Sequence, residues 1–335
     1  MGIYSDKKIA LVGSGLIGSG WAIHFLYHGQ KNICLYDTKP EALERAKERI
    51  EDGLQWLEKN GVLSPEQHEK CASYPTYTTN LQDAVQDADF ILENGPENLA
   101  IKQSILAGIE EYCQDEAIIS SSTSAIMIRE IAEHAKRPQR VIGAHPYLPV
   151  YLLPLVEIVV DEMVESKYLD KLVDFLQSVK KKPVVLKKDC PGYIGTRLMN
   201  AICREAVSIL YNGVCTVEEL DTAFTFGPGL RYGLMGPFMV YQLTGGDYGV
   251  RGLFGGRMYG KADGDKAAPK DEKRKKVIET LCNWTAYPPE VNEFMVNDIP
   301  EQVDKIMETK KWTNTDLAEF RDQGLLELLK YHDLL

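Results

Sequence analysis

The chain has 335 residues, a net charge of −11, and 44% hydrophobic against 26% charged residues. That length suits two domains with cores of their own, and the acidic balance argues against nucleic acid or an anionic membrane surface as a partner. The seven cysteines are scattered, odd in number and without a CxxC pair. They read as reduced thiols, which excludes a disulfide framework or a zinc site. The start shows no signal-peptide pattern and no apolar run is long enough for a bilayer, so a cytoplasmic protein is expected.

In chain order, Lys8–Val12 predicts a strand, Leu16–His28 a helix and Asn32–Tyr36 a second strand. Lys39–Asn60 predicts a long helix, with Leu43, Ala46, Ile50, Leu54 and Leu57 at helical spacing. A strand over Asp89–Glu93 and a helix over Ala100–Cys113 follow, then a strand at 117–121, a helix over Ile126–Ala135 and a strand at 141–145. Strands alternating with helices imply a doubly wound parallel sheet with helices on both faces. Beyond the polar stretch Lys187–Gly192 the pattern becomes helical. Ile194–Tyr211 carries one apolar stripe that Gly213 ends, and Thr216 to Glu219 reads as a capping box with Gly227-Pro228-Gly229 past the helix it opens. The expectation is an α/β domain over residues 1–188 and a mainly helical domain over 189–335 whose apolar helices bury a shared face in a homodimer. The charged run Lys261–Lys276 reads as a solvated loop.

Between the first strand and first helix lies Gly13-Ser14-Gly15-Leu16-Ile17-Gly18, a GxGxxG match in the strand–turn–helix context that dinucleotide binding requires. Gly13 permits the turn, Gly15 lets backbone approach a pyrophosphate and Gly18 permits close helix–strand packing. The helix N-terminus offers unpaired N–H groups to the phosphates. Asp37 falls nineteen residues after Gly18, at the end of the second strand, where an acid accepts from ribose hydroxyls and repels a 2′-phosphate. NAD is therefore expected over NADP, in a Rossmann-type domain.

The stretch Leu152–Val160 reads as a buried strand, yet Glu157 interrupts it. A carboxylate stripped of its partner in such a place costs about 3–5 kcal/mol. His145 and Arg140 are the candidates to meet it. An imidazole suits proton transfer near working pH, and a carboxylate on its far nitrogen would fix the tautomer. Prolines 146, 149 and 154 predict that the chain leaves the sheet between His145 and Glu157 and then returns.

The segments GSGLIGSGWA, ADFILENGPENLAIK, SSSTSAI, GAHPYLPVYLLPLVEIV, DCPGYIGTRL and EELDTAFTFGPGLRYGLMGPF together make the chain resemble the L-3-hydroxyacyl-CoA dehydrogenase family along most of its length. The details HPxxPVYLLPLVE, REAV and GPGLRYGLMGPF lean toward the branch containing carnitine dehydrogenase, with the lambda-crystallin and gulonate dehydrogenase type close by. The resemblance implies NAD-dependent oxidation of a secondary 3-hydroxyl to a ketone, with His145 and Glu157 as the catalytic pair. It implies that Ser124 supplies a hydroxyl to the reacting oxygen, and that Glu97 and Lys102 lie near the nicotinamide end. Two departures stand out. Leu148 and Thr196 occupy positions near the family's substrate pocket where asparagine is usual at the first and asparagine or another polar group at the second.

For the substrate, a small 3-hydroxy acid such as carnitine is expected, with a 3-hydroxyacyl-CoA thioester as the alternative. A quaternary ammonium is bound by aromatic faces, and Tyr147, Tyr151, Tyr232, Phe238, Tyr241 and Tyr248 are at hand; Arg197, Arg231 or Arg251 would take a carboxylate. A non-enzymatic role, as a structural or NAD-sensing protein, is disfavoured by the intact His145–Glu157 pair.

Overall fold

The computed structural model describes Tyr4, residues 6–244, Lys305 and residues 307–335. Tyr248, Arg251 and the run Lys261–Lys276 lie outside the described residues. The chain opens with β1 (Ile9–Val12), α1 (Leu16–Tyr27), β2 (Ile33–Tyr36), α2 (Pro40–Lys59), α3 (Pro65–Ser73), β3 (Thr76–Thr78) and α4 (Leu81–Val85). It continues through β4 (Phe90–Glu93), α5 (Leu99–Tyr112), β5 (Ile118–Ser121), α6 (Ile128–Ile131), β6 (Val141–Pro146), β7 (Leu155–Val159), α7 (Ser166–Ser178) and β8 (Lys182–Val185). Helices α8 (Gly195–Tyr211), α9 (Val217–Phe224), α10 (Leu230–Leu234), α11 (Pro237–Thr244) and α12 (Asn314–Tyr331) complete the described chain.

Alternation along the strands builds two apolar layers. Ile9, Leu11, Phe90, Leu92 and Ile118 join one core with Trp21, Phe25, Ile50, Leu54 and Phe175 from α1, α2 and α7. Their neighbours Ala10, Val12, Ile91 and Ile119 face a second core with Val85, Leu106, Ile109 and Ile131 from α4, α5 and α6. Period-2 alternation buried on both sides is what a sheet covered by helices on both faces requires. The strand order is β3-β2-β1-β4-β5-β6-β7-β8. From β1 the chain moves outward to β2 and β3, then crosses back to β4 on the other side. That reversal opens a crevice at the carboxyl ends of β1 and β4, where doubly wound sheets bind ligands.

The all-parallel expectation needs one correction. β6 and β7 run antiparallel, with Gly143 opposite Val159 and His145 opposite Glu157, while the other pairs are parallel. The short connection from residue 147 to 154 permits this, because a parallel return needs a crossover of a dozen residues or more. Pro146 ends β6, and Pro149 and Pro154 lie in the connection, as the proline positions predict.

A second correction concerns the helix expected over Ile126–Ala135, which is only the single turn of α6. Its leading donors are taken elsewhere: the N–H groups of Ser124 and Ala125 go to the Glu97 carboxylate, and that of Ile128 goes to Asp189. At the other end, the N–H groups of Lys136 and Arg137 go to Glu110. Backbone groups satisfied by side chains need no helix.

Two compact units result, one of Met1–Met199 with Arg321–Leu335 and one of Asn200–Phe320. In the first, Leu326, Leu329 and Leu334 at the chain's end form a small core with Leu152. In the second, Thr216 and Glu219 make the expected reciprocal capping box. The path stays helical through Thr225–Gly229 with a kink at Gly227, then enters α10 and α11.

Candidate active site

Glu157 is fully buried, and all of its acceptor capacity is used. One oxygen, Oε2, lies 3.0 Å from Nδ1 of His145 and accepts from the Tyr147 hydroxyl at 3.2 Å. The other, Oε1, accepts the backbone N–H groups of Ile194 at 2.7 Å and Gly195 at 2.9 Å. Those two donors open α8, so the carboxylate also meets the positive end of a helix. Four hydrogen bonds offset its desolvation. An ionised carboxylate only accepts, so His145 carries its proton on Nδ1 and leaves Nε2 as a free acceptor.

Cross-strand register brings the pair together: both side chains rise from the same face of β6–β7. The imidazole contacts two aromatic rings, with centroids 5.0 Å away at Tyr147 and 5.4 Å away at Tyr193. Burial raises the Tyr193 hydroxyl well above its usual range, and burial also raises that of Tyr147, with Glu157 adding to it. Both phenols stay protonated beside the imidazole. A side chain on Gly195 would fall 2.0 Å from the Tyr147 oxygen, so glycine there makes room for the phenol. Arg140, the other candidate partner for Glu157, is spent elsewhere: its guanidinium donates to the carbonyls of Gln114, Asp115 and Ala117.

Ser124 lies in a turn that Glu97 organises. Oε1 of Glu97 accepts from the Thr123 hydroxyl at 2.8 Å and from the N–H groups of Ser124 and Ala125 at 3.0 and 2.9 Å. Burial works to raise the Glu97 pKa, but these bonds and nearby Lys102 outweigh it and hold the carboxyl below its usual range. The Ser124 hydroxyl is 3.5 Å from the same oxygen, a marginal contact that leaves it available. Lys102 is buried, donating to both oxygens of Glu93 at 2.9 and 3.1 Å and to the Gly95 carbonyl at 3.2 Å. It therefore pins the Gly95–Glu97 bend from beneath.

The glycine turn divides its labour as the motif requires. Gly13 has φ +99°, in the region that favours glycine, and a side chain on Gly18 would collide with the Gly13 carbonyl at 2.0 Å. Over Gly15 there is open space, and the first turn of α1 has no side-chain cap, so its N–H groups face that space. Leu16 and Ile17 are the first residues of α1, and Leu16 is exposed. Asp37 accepts from the N–H and hydroxyl of Ser14 at 3.1 and 2.9 Å, which ties the end of β2 to the turn. These residues fit a dinucleotide: an open cradle at a helix start with an acid beside it.

Of the expected substrate residues, Tyr147 is at the imidazole, Leu148 is exposed in the connection after it, and Thr196 follows Gly195 in α8. Arg231 and Tyr232 lie on α10 in the second unit. Sequence reasoning missed Tyr193, Ser14 and Lys181. Lys181 is buried, and its amine donates to the carbonyls of Val150 and, at 2.9 Å, Leu153, while lying 4.9 Å from the Trp21 ring. The Tyr27 hydroxyl donates to the carbonyl of Tyr151 between them at 2.7 Å. Burial drives the Lys181 pKa well down, and a neutral amine still has the two N–H groups this grip needs. The signal for it was only an excess of lysines at Lys180–Lys182, which reads as solvated surface. Among the described residues no group of three side chains could hold a metal ion, and no helix is long and apolar enough to cross a membrane.

A family model described as 3-hydroxyacyl-CoA dehydrogenase, NAD binding domain, matches residues 8–190. Another, described as 3-hydroxyacyl-CoA dehydrogenase, C-terminal domain, matches residues 192–290. The chain is 36% identical to an L-carnitine dehydrogenase of Bacillus cereus, covering 98% of this chain and 94% of the relative. Among solved structures it is similar to an NAD+-dependent dismutase, a dehydrogenase of 5-formyl-3-hydroxy-2-methylpyridine 4-carboxylic acid, with a TM-score of 0.74, 26% identity and 98% of both chains covered. It is also similar to 3-hydroxybutyryl-CoA dehydrogenase of Escherichia coli, with a TM-score of 0.62, 31% identity, and coverage of 71% of this chain and 49% of that one.

Proposed function

Because the chain belongs to the 3-hydroxyacyl-CoA dehydrogenase family and is an NAD-dependent oxidoreductase of 3-hydroxy groups, we propose that it oxidises a small free 3-hydroxy acid of the carnitine type. One observation carries the choice. The L-carnitine dehydrogenase is 36% identical over 98% of this chain, whereas a 3-hydroxyacyl-CoA dehydrogenase of Archaeoglobus fulgidus that covers 91% of it is 26% identical.

NAD supplies hydride acceptance when bound, held by the turn Gly13–Gly18 and by Asp37. Nε2 of His145 takes the proton of the 3-hydroxyl as the C–H bond gives up its hydride, and returns a proton in the reverse direction. Glu157, ionised on the far side of the ring, favours the imidazolium so formed and prevents the ring from turning. Ser124 donates a hydrogen bond to the reacting oxygen and holds it at the imidazole. Glu97 keeps that turn in shape, and Lys102 supports Glu97 through the bend below it. We assign substrate contacts to Tyr147, Leu148 and Thr196; Arg231 and Tyr232 are proposed for a carboxylate and a cationic end by their chemistry. Leucine at 148 removes an amide donor, so a carboxylate or thioester oxygen of the substrate must find its hydrogen bond at another residue.

A second reading, a 3-hydroxyacyl-CoA, is favoured by the names of both matching domain models. Following NADH absorbance with carnitine, gulonate, 3-hydroxybutyrate and 3-hydroxybutyryl-CoA separates the two. Turnover of carnitine or another free acid is the expected result, and turnover of the thioester alone would replace the first reading with the second.

We also propose a homodimer in the cytoplasm. On α10 and α11, Leu230, Leu234, Phe238, Met239 and Leu243 are all exposed, an apolar patch of the kind that marks an interface. Cys34 and Cys71 are free thiols in the core, in keeping with a reducing compartment. Light scattering at micromolar concentration should give twice the chain mass.

A further inference from the structure

The connection that leaves His145 lines a cavity of about 340 Å³. Leu16, within the glycine turn at the start of α1, and Leu148, three positions after His145, are among its lining residues. Trp56, Arg49 and Asp52 from α2 and Tyr151 from the connection line it as well. The cavity thus borders both the cofactor turn and the segment that carries the proposed base. Its aromatic walls stand edge to face, with ring centroids 6.3 Å apart.

What holds those walls comes from the far end of the chain. Leu326, Leu329 and Leu334, each less than a tenth exposed, form an apolar cluster with Leu152, and Trp56 and Tyr151 pack against it. The family's domain models stop at residue 290, so this segment lies beyond them. It nevertheless belongs to the same compact unit as the cofactor turn. A segment outside the family's two domain models therefore returns to support two walls of a cavity that borders the cofactor turn and the connection after His145.

We propose that residues 321–335 are a specificity-determining element, fixing Trp56 and Tyr151 so that they limit how long a tail on the substrate the cavity accepts. The proposal rests on the reading that the reacting hydroxyl sits at His145. Close packing makes the wall rigid, and a rigid wall sets the chain length at which a further methylene meets the rings and cannot be accommodated. A hydrophobic wall of this kind discriminates by about 10- to 200-fold per methylene. Removing a leucine behind the wall lets the rings retreat, and truncating Trp56 opens the wall outright.

The test compares 3-hydroxybutyrate with 3-hydroxyoctanoate in the full-length protein, its Leu329→Ala variant and its Trp56→Ala variant. Two ratios are measured: kcat/KM by NADH absorbance, and affinity for the NADH-loaded protein by calorimetry. Circular dichroism and NADH affinity show that each variant is folded. The long-to-short ratio should rise at least about tenfold in Trp56→Ala and move the same way in Leu329→Ala, with NADH affinity unchanged. If wild type turns over neither acid but the affinity ratio shifts, the reading of the reaction fails and the wall stands. If the ratio is unmoved by both measures in Trp56→Ala, or Leu329→Ala lowers both acids equally, the proposal is overturned.

Discussion

Nδ1 of His145 stands 3.0 Å from Oε2 of Glu157, and the two residues face each other directly across the antiparallel pair β6–β7. The contact is set by backbone register, so it is present before any ligand arrives. Both oxygens of Glu157 are committed, one to side chains and the other to the start of α8.

Glu157→Gln should therefore be nearly isosteric and severely inactive. Its amide oxygen will stay with the two N–H groups of α8, which leaves its NH2 facing Nδ1. Two donors cannot meet, so His145 must move its proton to Nε2 and lose its function as base. A fall in kcat of about 10⁴-fold is expected, as for the corresponding change in a serine protease triad, with NADH affinity retained in fluorescence titration. His145→Gln should fall by about 10²–10⁴-fold in the same assay.

Gly195→Ala tests the Tyr147 phenol. The added methyl would overlap the phenol oxygen, so the ring must swing away and release its bond to Glu157. Overpacking of this sort costs about 1–3 kcal/mol. Thermal unfolding should show that loss, and a Tyr147→Phe change placed on top should restore part of it by removing the clashing oxygen.

Much of this was legible. The apolar run around Glu157 demanded a partner, and its spacing from His145 together with the three prolines pointed to a strand, an excursion and a return. The glycine turn and Asp37 were readable because their chemistry is local. The grip of Lys181 on the connection was not, since the carbonyls it holds lie 28 and 31 positions away and are atoms that every residue possesses. The shortness of α6 was equally hidden. Its periodicity is helical, but Glu97 and Asp189, distant in sequence, take the donors a longer helix would have used.

Lys181→Met keeps length and burial but leaves the carbonyls of Val150 and Leu153 without their donor. Each such loss costs about 1–3 kcal/mol, partly relieved by movement of the connection. The expected signature is a raised KM for the substrate with kcat changed less than about tenfold, since His145 and Glu157 are held by the sheet. Steady-state kinetics with saturating NAD reads the split, and an unchanged KM would count against the grip.

His28 predicts how the protein responds to acid. Burial, with the charge of Lys180 adding to it, pushes its pKa down to about 3 from an ordinary value of 6.5. Between those values the unfolded chain binds a proton that the folded chain refuses, so stability is present above pH 6.5 and is lost as pH falls toward 3. At about 1.4 kcal/mol per pKa unit the effect is on the order of a few kcal/mol. His28→Phe, which keeps the ring beside Tyr27 and His24, should flatten the fall of Tm over that range. His24, also lowered by burial, will leave a residual slope.

The prolines, the exposed Leu148 and the cavity-lining residues from 148 to 151 all belong to the stretch that leaves the β6–β7 ladder. The dyad depends on rungs, and the rungs do not record how many residues lie between them. A connection of different length or composition can therefore be exchanged while His145 and Glu157 stay opposed, provided it presents carbonyls to Lys181 and Tyr27. Recognition and proton transfer are thus separable modules of one hairpin, and new substrates are best sought by grafting residues 148–154 while leaving the rungs and Tyr147 alone.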